Sequence, residues 1–164
     1  MLSIKEATVK DIPLIRELCF NVWPQTYTGI ISNEQIEYML EMMYSEQSLH
    51  QQMSEQQCKF IFVYDDSDAV GFASFSETSP SIFKLHKIYI LPNQQGKGTG
   101  KFVIDHIINE IKTKGATVLQ LQVNKRNKAK SFYEKLGFTE LYQFDLPIGN
   151  NFVMDDYLME KKLV

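Results

Sequence analysis

Residues 87–107, KIYILPNQQGKGTGKFVIDHI, place three different structural patterns side by side. The first is a β-branched and aromatic run that is typical of a strand and stops at Pro92. The last is an amphipathic pattern that continues to Gly115, a suitable helix C-cap. Between them lies a glycine-rich loop. The predicted apolar face of the helix comprises Phe102, Val103, Ile107, Ile108 and Ile111.

The glycine-rich loop has the features of an anion-binding site. The first turn of a helix presents N–H groups without backbone partners and a partial positive charge, and glycines let an anion approach them. Two common phosphate motifs do not fit. A Walker A loop would need glycine at Gln95 and serine or threonine at Phe102, and a dinucleotide fingerprint would need glycine at Lys101 or Val103. A different phosphate loop, or a turn that only joins strand to helix, remains.

Upstream, the sequence predicts a short edge strand, helices and a hairpin. VKDIPLIRELCFNVW has apolar residues at helical spacing, and this helix should end or bend at Pro24. A second helix follows Ser32, which forms a capping-box pattern with Gln35, and a weaker third pattern comes next. CKFIFVYDDSDAVGFASFSE has turn residues at its centre and predicts two strands.

Downstream, the sequence predicts a strand, a helix and two further strands. ATVLQLQVN alternates as a strand, KRNKAKSFYEKLG predicts a helix, and the tail contains FTELYQFDL and FVMDDYLMEKKL. The resulting order is β-α-α-(α)-β-β-β-α-β-α-β-β. It predicts the α/β (α+β) class, with helices flanking one mixed, largely antiparallel central sheet. The apolar tail strand could also add to a sheet edge in a homodimer.

Composition narrows the classes of function. With 164 residues, 44% of them hydrophobic, we expect a single domain over residues 1–164. The net charge of -3 disfavours nucleic acid as a partner, because its backbone requires many cations. Cys19 and Cys58 lie far apart without a histidine cluster, so we expect neither a disulfide nor a metal site. No window suits a signal peptide or a membrane span, so we expect a cytoplasmic protein without a membrane partner.

Two motifs resemble one known family. Residues 95–100, QGKGTG, follow Q-x-x-G-x-G between a strand and a helix. Residues 123–138, VNKRNKAKSFYEKLGF, carry a second pattern made of Asn124, Asn127, Ala129, Phe132, Tyr133, Gly137 and Phe138. Both are similar to motifs of the GNAT superfamily of N-acetyltransferases, over residues 60–140. The resemblance implies a GNAT-type sheet and an enzyme that transfers an acetyl group from acetyl-CoA (coenzyme A) to an amine.

The resemblance also implies which residues hold the cofactor. The loop backbone would bind the pyrophosphate through Gln95, Gly96, Lys97, Gly98, Thr99, Gly100 and Lys101. The pantetheine arm would pair along the backbone of Ile88, Tyr89 and Ile90, where a bulge commonly splays the sheet. Asn124 and Asn127 would contact the cofactor, although Asn127 is equally suited to cap a helix. Lys135, together with Lys97, Lys101 and Lys130, would neutralise the nucleotide phosphates.

For the chemistry, the resemblance implies that Tyr133 protonates the departing thiolate. Without the motif, Tyr133 would be interpreted as a core aromatic residue beside Phe132. The base that accepts the amine proton is open. His86 precedes Ile88 by two residues, which predicts that both side chains share a face, and a neutral imidazole there could accept the proton. Glu77, at the end of the preceding strand, and ordered water are the alternatives.

The acceptor site is expected near the N-terminal helices. Trp23 and Tyr27 fall where the first helix should break and are predicted to line a cleft, whereas Tyr38 is expected in the core. Acidic residues could collect a positively charged amine: Glu77, Asp155 and Asp156. WPQTY and KIYILPNQQGKGTG are most similar to the bacterial diamine and polyamine acetyltransferase branch. Amino acids, aminoglycosides and peptide N-termini remain alternative acceptors.

Two other classes of function remain as alternatives. One is a non-catalytic acyl-CoA-binding regulatory module, which would have no need for an acid such as Tyr133 at the sulfur. The other is a nucleic-acid-binding domain built on NKRNKAK, which the negative net charge disfavours.

Overall fold

Seven strands and five α-helices make up the computed structural model, which describes residues 1–164. The strands are β1 (Leu2–Glu6), β2 (Lys59–Asp65), β3 (Asp68–Ser79), β4 (Ile82–Ile90), β5 (Val118–Asn124), β6 (Thr139–Gly149) and β7 (Phe152–Lys162). The helices are α1 (Ile12–Tyr27), α2 (Asn33–Tyr44), α3 (Glu46–Ser54), α4 (Thr99–Lys112) and α5 (Ala129–Lys135). Their order confirms the predicted succession, including the weaker third helix.

The strands form one sheet in the order β1-β2-β3-β4-β5-β7-β6. Among these neighbours, β4 and β5 run parallel and the other pairs are antiparallel. The predicted class, a mixed and largely antiparallel sheet flanked by helices, is confirmed. The tail strand β7 lies between β5 and β6 and is therefore not a free edge. The edge on that side is β6.

The parallel pair of β4 and β5 is short. Residues 82–85 pair with residues 118–121, and beyond them the two strands no longer pair with each other. From there β4 continues to Ile90 paired with β3, and β5 continues to Asn124 paired with β7. The sheet therefore has an opening between the second halves of β4 and β5. One backbone edge of β4 is unpaired along this opening.

A β-bulge at His86 lies where the opening begins. Two successive residues of β3 pair with Leu85 and Lys87, which leaves His86 without a partner. One inserted residue changes the face that the side chains around it occupy. His86 consequently lines a cavity beside α1 and α2, whereas Ile88 packs in the core on the other face. The prediction that His86 and Ile88 share a face is wrong.

Each face of the sheet carries its own hydrophobic core. Helices α1–α3 cover one face, with Trp23 and Leu49 in that core. Helices α4 and α5 cover the other face, and Ile107 is fully buried there. On α4, Ile104 is buried while Phe102 is partly exposed. The predicted Val103, Ile107 and Ile111 are buried, so the apolar face of α4 is largely confirmed, with Ile104 added and Phe102 left out.

Helix α1 continues through Pro24, where the sequence predicted an end or a bend. Proline removes a single N–H donor, and the buried side chains of Val22 and Trp23 hold the segment against the sheet. Thr28 then donates its N–H to the carbonyl of Pro24 at 3.1 Å. Trp23 and Tyr27 thus belong to the last turns of a continuous helix and not to a break.

Helix α2 is tied to the far end of the sheet. Ser32 caps it as predicted, its Oγ accepting a hydrogen bond from the N–H of Gln35 at 3.1 Å. The Gln35 side chain does not complete a capping box. Its Nε2 donates instead to the carbonyl of Val153 on β7 at 2.9 Å. The Tyr38 hydroxyl donates to the carbonyl of Ile148 on β6 at 2.7 Å.

Cys19 and Cys58 are buried free thiols. No helix of the chain combines the length and the apolar character that a membrane span requires.

Candidate functional site

The glycine-rich loop forms an open cradle at the start of α4. Gly96 and Gly98 both have φ of +80°, a left-handed conformation that favours glycine, and a Cβ at either position would meet nothing within 4 Å. Across residues 96–101 the backbone N–H groups donate to no other backbone group. The loop and the first turn of α4 therefore offer free donors and a partial positive charge to an anion.

The cradle is held in place by Gln94, which the sequence analysis did not single out. Gln94 is buried; its Nε2 donates to Asp65 Oδ2 and its Oε1 accepts from the Thr99 hydroxyl, both at 3.3 Å. The neighbouring Gln95 donates its Nε2 to the carbonyl of Ile90 at 3.3 Å. Thr99 thus directs its side chain inward, and its backbone N–H is what faces an anion.

Gly100 serves the packing of two helices. A Cβ at this position would lie 3.0 Å from Cζ of Phe132 on α5. Since interiors are close-packed, a side chain here would displace α5 from the start of α4. Glycine at this position lets the two sequence motifs contact each other and brings Tyr133 toward the cradle.

Tyr133 is buried among aromatic rings. Its ring centroid lies 5.3 Å from that of Phe132 and 5.9 Å from that of Phe138. Burial raises the pKa of its hydroxyl above the usual value for tyrosine, and Tyr27 adds a smaller upward contribution. Tyr27 packs with the core on the opposite face of the sheet. At neutral pH the Tyr133 hydroxyl is protonated.

The other residues predicted to contact the cofactor lie in different settings. Residues 88–90 have their backbone along the unpaired edge of β4. Asn127 accepts a hydrogen bond from the N–H of Ala129, the first residue of α5, at 2.9 Å, so its side-chain oxygen is engaged at the start of that helix. Asn124 accepts from the N–H of Arg126 at 2.9 Å and lines the cavity on the other face of the sheet.

The lysines predicted to neutralise phosphates differ in availability. Lys97 and Lys135 are exposed. Lys101 forms an ion pair with Asp105 at 2.5 Å, and Lys130 lies 4.2 Å from the centroid of a tyrosine ring. Lys97 and Lys135 are therefore the two that can turn toward an anion without losing an existing contact.

A cavity of about 330 Å³ lies on the face of the sheet beside α1 and α2. Trp23 and Tyr27, the predicted aromatic residues, both line it, with ring centroids 4.6 Å apart. Tyr89 extends this aromatic wall, 5.9 Å from Trp23. The volume lies at the small end of the range of roughly 300–1,000 Å³ found for ligand pockets. The cavity therefore suits a small molecule.

Basic side chains of β4 also line this cavity. His86 was predicted, and its Nε2 lies 2.6 Å from Oγ of Ser76. Burial, reinforced by two neighbouring lysines, lowers the pKa of His86 to about 4, so its imidazole is neutral at physiological pH. Lys84 and Lys87 were not predicted. Burial lowers the pKa of both, that of Lys87 to about 8, and Lys87 Nζ donates to Gln52 Oε1 at 2.7 Å.

One carboxylate faces these basic residues. Asp156 on β7 is only 2% exposed as a residue and lines the cavity. Burial, reinforced by Asp155, raises its pKa to about 6, while Lys84 acts in the opposite direction. Asp156 is consequently ionised at neutral pH. The sequence signal for these cavity-lining residues is a charged residue within an otherwise apolar strand, as in β4 and β7.

Two other acidic residues considered for the chemistry lie elsewhere. Glu77 is exposed and accepts a hydrogen bond from the N–H of Ser81 at 3.0 Å, within the turn between β3 and β4. Asp155 forms an ion pair with Lys125 at 2.6 Å and lines a neighbouring groove. The structure thus brings His86 and Asp156 into the cavity, but not Glu77.

The sheet has an anion cradle on one face and a small cavity on the other, and the two meet through the opening between β4 and β5. This is the architecture of an acyltransferase. The chain belongs to the GNAT family, because the model of the acetyltransferase (GNAT) domain matches residues 28–146. It is an N-acetyltransferase that uses acetyl-CoA.

Two named proteins and one crystal structure are similar to this chain. The spermidine N(1)-acetyltransferase of Thermoplasma acidophilum is 26% identical over 159 residues, covering 94% of this chain and 96% of that protein. The ribosomal protein bS18-alanine N-acetyltransferase of Haemophilus influenzae is 38% identical over 77 residues, covering 47% of this chain and 52% of that protein. The crystal structure of the PaiA N-acetyltransferase of T. acidophilum in complex with coenzyme A matches with a TM-score of 0.82 at 27% identity, covering 99% of each chain.

Proposed function

We propose that this enzyme acetylates a primary amine of a small molecule, a polyamine, an amino acid or a similar compound, by direct attack of the amine. The observation that carries the proposal is the opening between β4 and β5. It joins the cradle and Tyr133 on one face to a cavity of about 330 Å³ on the other. The name of the spermidine acetyltransferase supports a small amine. The name of the ribosomal-protein acetyltransferase makes a peptide N-terminus the second candidate.

The residues on the cradle side fit coenzyme A. The free N–H groups of residues 96–101 would bind its pyrophosphate. The edge of β4 that faces the opening at residues 88–90 would pair with the pantetheine amides, apart from the Ile90 carbonyl, which accepts from Gln95. Lys97 and Lys135 would contact the nucleotide phosphates. When bound, acetyl-CoA supplies the acetyl group as a thioester.

Tyr133 would protonate the leaving sulfur. Its hydroxyl is protonated at neutral pH, and burial raises its pKa further. A thiolate released beside it would be made more basic by the same burial, so proton donor and acceptor shift in the same direction. The proton can therefore pass from Tyr133 to the sulfur with only a small change in free energy.

The amine must lose a proton as it is acylated. Of the two side chains predicted for this role, His86 reaches the cavity and Glu77 does not. The low pKa of His86 makes its imidazole a weak base. It is therefore suited to orienting a water that passes the proton on, and not to holding the proton.

We further propose that residues 1–164 act as a single N-acetyltransferase domain in the cytoplasm, where the buried free thiols of Cys19 and Cys58 would stay reduced. A homodimer would use the edge strand β6, which exposes Leu141, Tyr142 and Leu146. Light scattering should then give twice the monomer mass, and a charge introduced by Leu141→Lys should reduce it.

Thiol release from acetyl-CoA across polyamines, amino acids, aminoglycosides and peptides with free N-termini tests the proposed function. We expect release with one class of small amine. Binding of acetyl-CoA in calorimetry without release for any amine would instead support a non-catalytic acyl-CoA-binding module.

A further inference from the structure

The cavity beside α1 and α2 carries two opposite charges that have no partner in the protein. Lys84 and Asp156 both line it, and each affects the ionisation of the other. They nevertheless lie beyond ion-pair distance, so space for a ligand separates them. Lys87, the other lysine of the cavity, is already hydrogen-bonded to Gln52.

The two charges occupy different positions relative to the opening in the sheet. Asp156 pairs with Asn124, the last residue of β5, where β4 and β5 have already separated. Lys84 pairs with Gln120, in the closed part of the sheet. Tyr27 lines the same cavity as Asp156; burial raises its pKa, and Asp156 adds a smaller upward contribution. The carboxylate therefore lies at the reacting end of the cavity and the ammonium group at the far end.

We propose that the acceptor is a small amino carboxylate, with its amine held by Asp156 at the opening and its carboxylate held by Lys84. This inference rests on the proposed function and specifies its acceptor class. A diamine fits the lining less well. Its second ammonium group would approach two lysines, and Asp156 is the one carboxylate there to compensate the four positive charges of two lysines and two ammonium groups.

This arrangement also assigns the proton transfers. The acceptor enters as an ammonium ion and first releases one proton to solvent, through the water that His86 would orient. The neutral amine nitrogen then forms a bond to the acetyl carbon as the carbon–sulfur bond breaks. Asp156 accepts one proton from the nitrogen, and Tyr133 gives its proton to the sulfur. Solvent then carries the proton from Asp156 back to the phenolate of Tyr133, and the products are an N-acetylated amino carboxylate and coenzyme A.

The test compares acceptors that differ in the group at the far end. We would measure kcat/KM for 4-aminobutanoate against 1,4-diaminobutane, and for a series of α-amino acids against the monoamines that lack their carboxylate. The best amino carboxylate should exceed its matched amine about tenfold or more, which is the scale of one charge-assisted hydrogen bond. Lys84→Met should bring the ratio of kcat/KM for the amino carboxylate to that for its matched monoamine down to about one, and Lys84→Arg should retain the wild-type ratio.

The outcomes separate this inference from the proposed function on which it rests. A preference of the wild type for diamines, or an unchanged ratio in Lys84→Met, overturns the inference while the acetyltransferase of small amines stands. Absence of transfer to every amine, with acetyl-CoA still bound, overturns both. Lys112→Met, at an exposed lysine in the last turn of α4, is the matched control. If melting shows that Lys84→Met does not fold, Lys84→Gln takes its place in the same comparison.

Discussion

Burial shifts the pKa of each titratable side chain around the opening in the sheet toward its uncharged form. It raises the pKa of Tyr133 and that of Asp156, the latter to about 6, and lowers the pKa of His86 to about 4. In each case the charged form is disfavoured by the loss of water. At neutral pH the opening therefore combines a protonated tyrosine, a neutral imidazole and one ionised carboxylate.

Tyr133→Phe removes the proposed acid without changing the packing of the ring. We expect kcat to fall about 10²- to 10³-fold, the usual contribution of a positioned general acid, while the Kd for acetyl-CoA stays within about twofold. Thiol release and calorimetry measure the two quantities. Tyr142→Phe, at an exposed tyrosine on β6, is the matched control and should change neither. Equal weakening of catalysis and binding would contradict the acid role.

Asp156→Asn should stabilise the protein in a pH-dependent way. The folded pKa of about 6 lies above the ordinary value of 3.8, so the folded state binds the proton more tightly and the stability falls as pH rises through this window. Burial and Asp155 raise this pKa, while Lys84 and Lys125 lower it. After allowance for solvent screening in an open cavity, we expect the variant to be about 1–2 kcal/mol more stable at pH 8.

Urea unfolding at pH 3.5 and pH 8 measures this difference. At the lower pH the wild-type carboxyl group is protonated, and the two proteins should have nearly equal free energies of unfolding. The same variant should lose the rise of kcat/KM near pH 6 that ionisation of Asp156 produces in the wild type. A stability difference that does not change with pH would contradict the assignment.

At the scale of elements, the sequence patterns predicted the helices, strands and caps that depend on residues close in sequence. The strand before Pro92, the cap at Ser32 and the helix that follows the glycines were all predicted, because each depends on residues close in sequence. Helix α1 passes through Pro24 because tertiary packing outweighs one lost hydrogen bond. The packing that stabilises α1 around Pro24 involves residues distant in sequence, so the local pattern could not predict it.

The same distinction holds for the candidate site: the residues that lie within one segment were predicted, and those brought together by strand pairing were not. The loop of residues 96–101 and Tyr133 were named from motifs that lie within single segments. The bulge at His86 depends on how β3 pairs with β4, and the bulge determines which side chains of β4 face the cavity. Lys84 and Asp156 come from strands far apart in sequence, and only the sheet order brings them together.

Gly98→Glu tests the anion cradle with a matched control in the same helix. Gly98 and Gly115 lie at opposite ends of α4, both have positive φ, and a Cβ at either would meet nothing within 4 Å. Each substitution should therefore cost about 1–2 kcal/mol of backbone strain. Only Gly98→Glu places bulk and negative charge in the cradle, so it should abolish acetyl-CoA binding in calorimetry while Gly115→Glu keeps it. Equal affinity in the two variants would exclude the cradle as the pyrophosphate site.

At the scale of the whole molecule, coenzyme A would contact β4, the loop and α5 together. A ligand that binds only the folded state raises the free energy of unfolding, by about 2.7 kcal/mol at a hundredfold excess over Kd. For a chain of this size that corresponds to a rise in Tm of roughly 5–10 °C. Differential scanning calorimetry with and without coenzyme A measures it, and Gly98→Glu should show no shift.

The opening between β4 and β5 also has a consequence for the kinetic order of the reaction. The cradle and the cavity lie on opposite faces of the sheet, so each substrate can enter, and each product can leave, without passing through the other's site. Initial-velocity plots at several fixed concentrations of the second substrate should therefore give intersecting lines and not parallel ones. A dead-end analogue of coenzyme A should compete with acetyl-CoA but not with the amine, so an excess of acceptor should not relieve that inhibition.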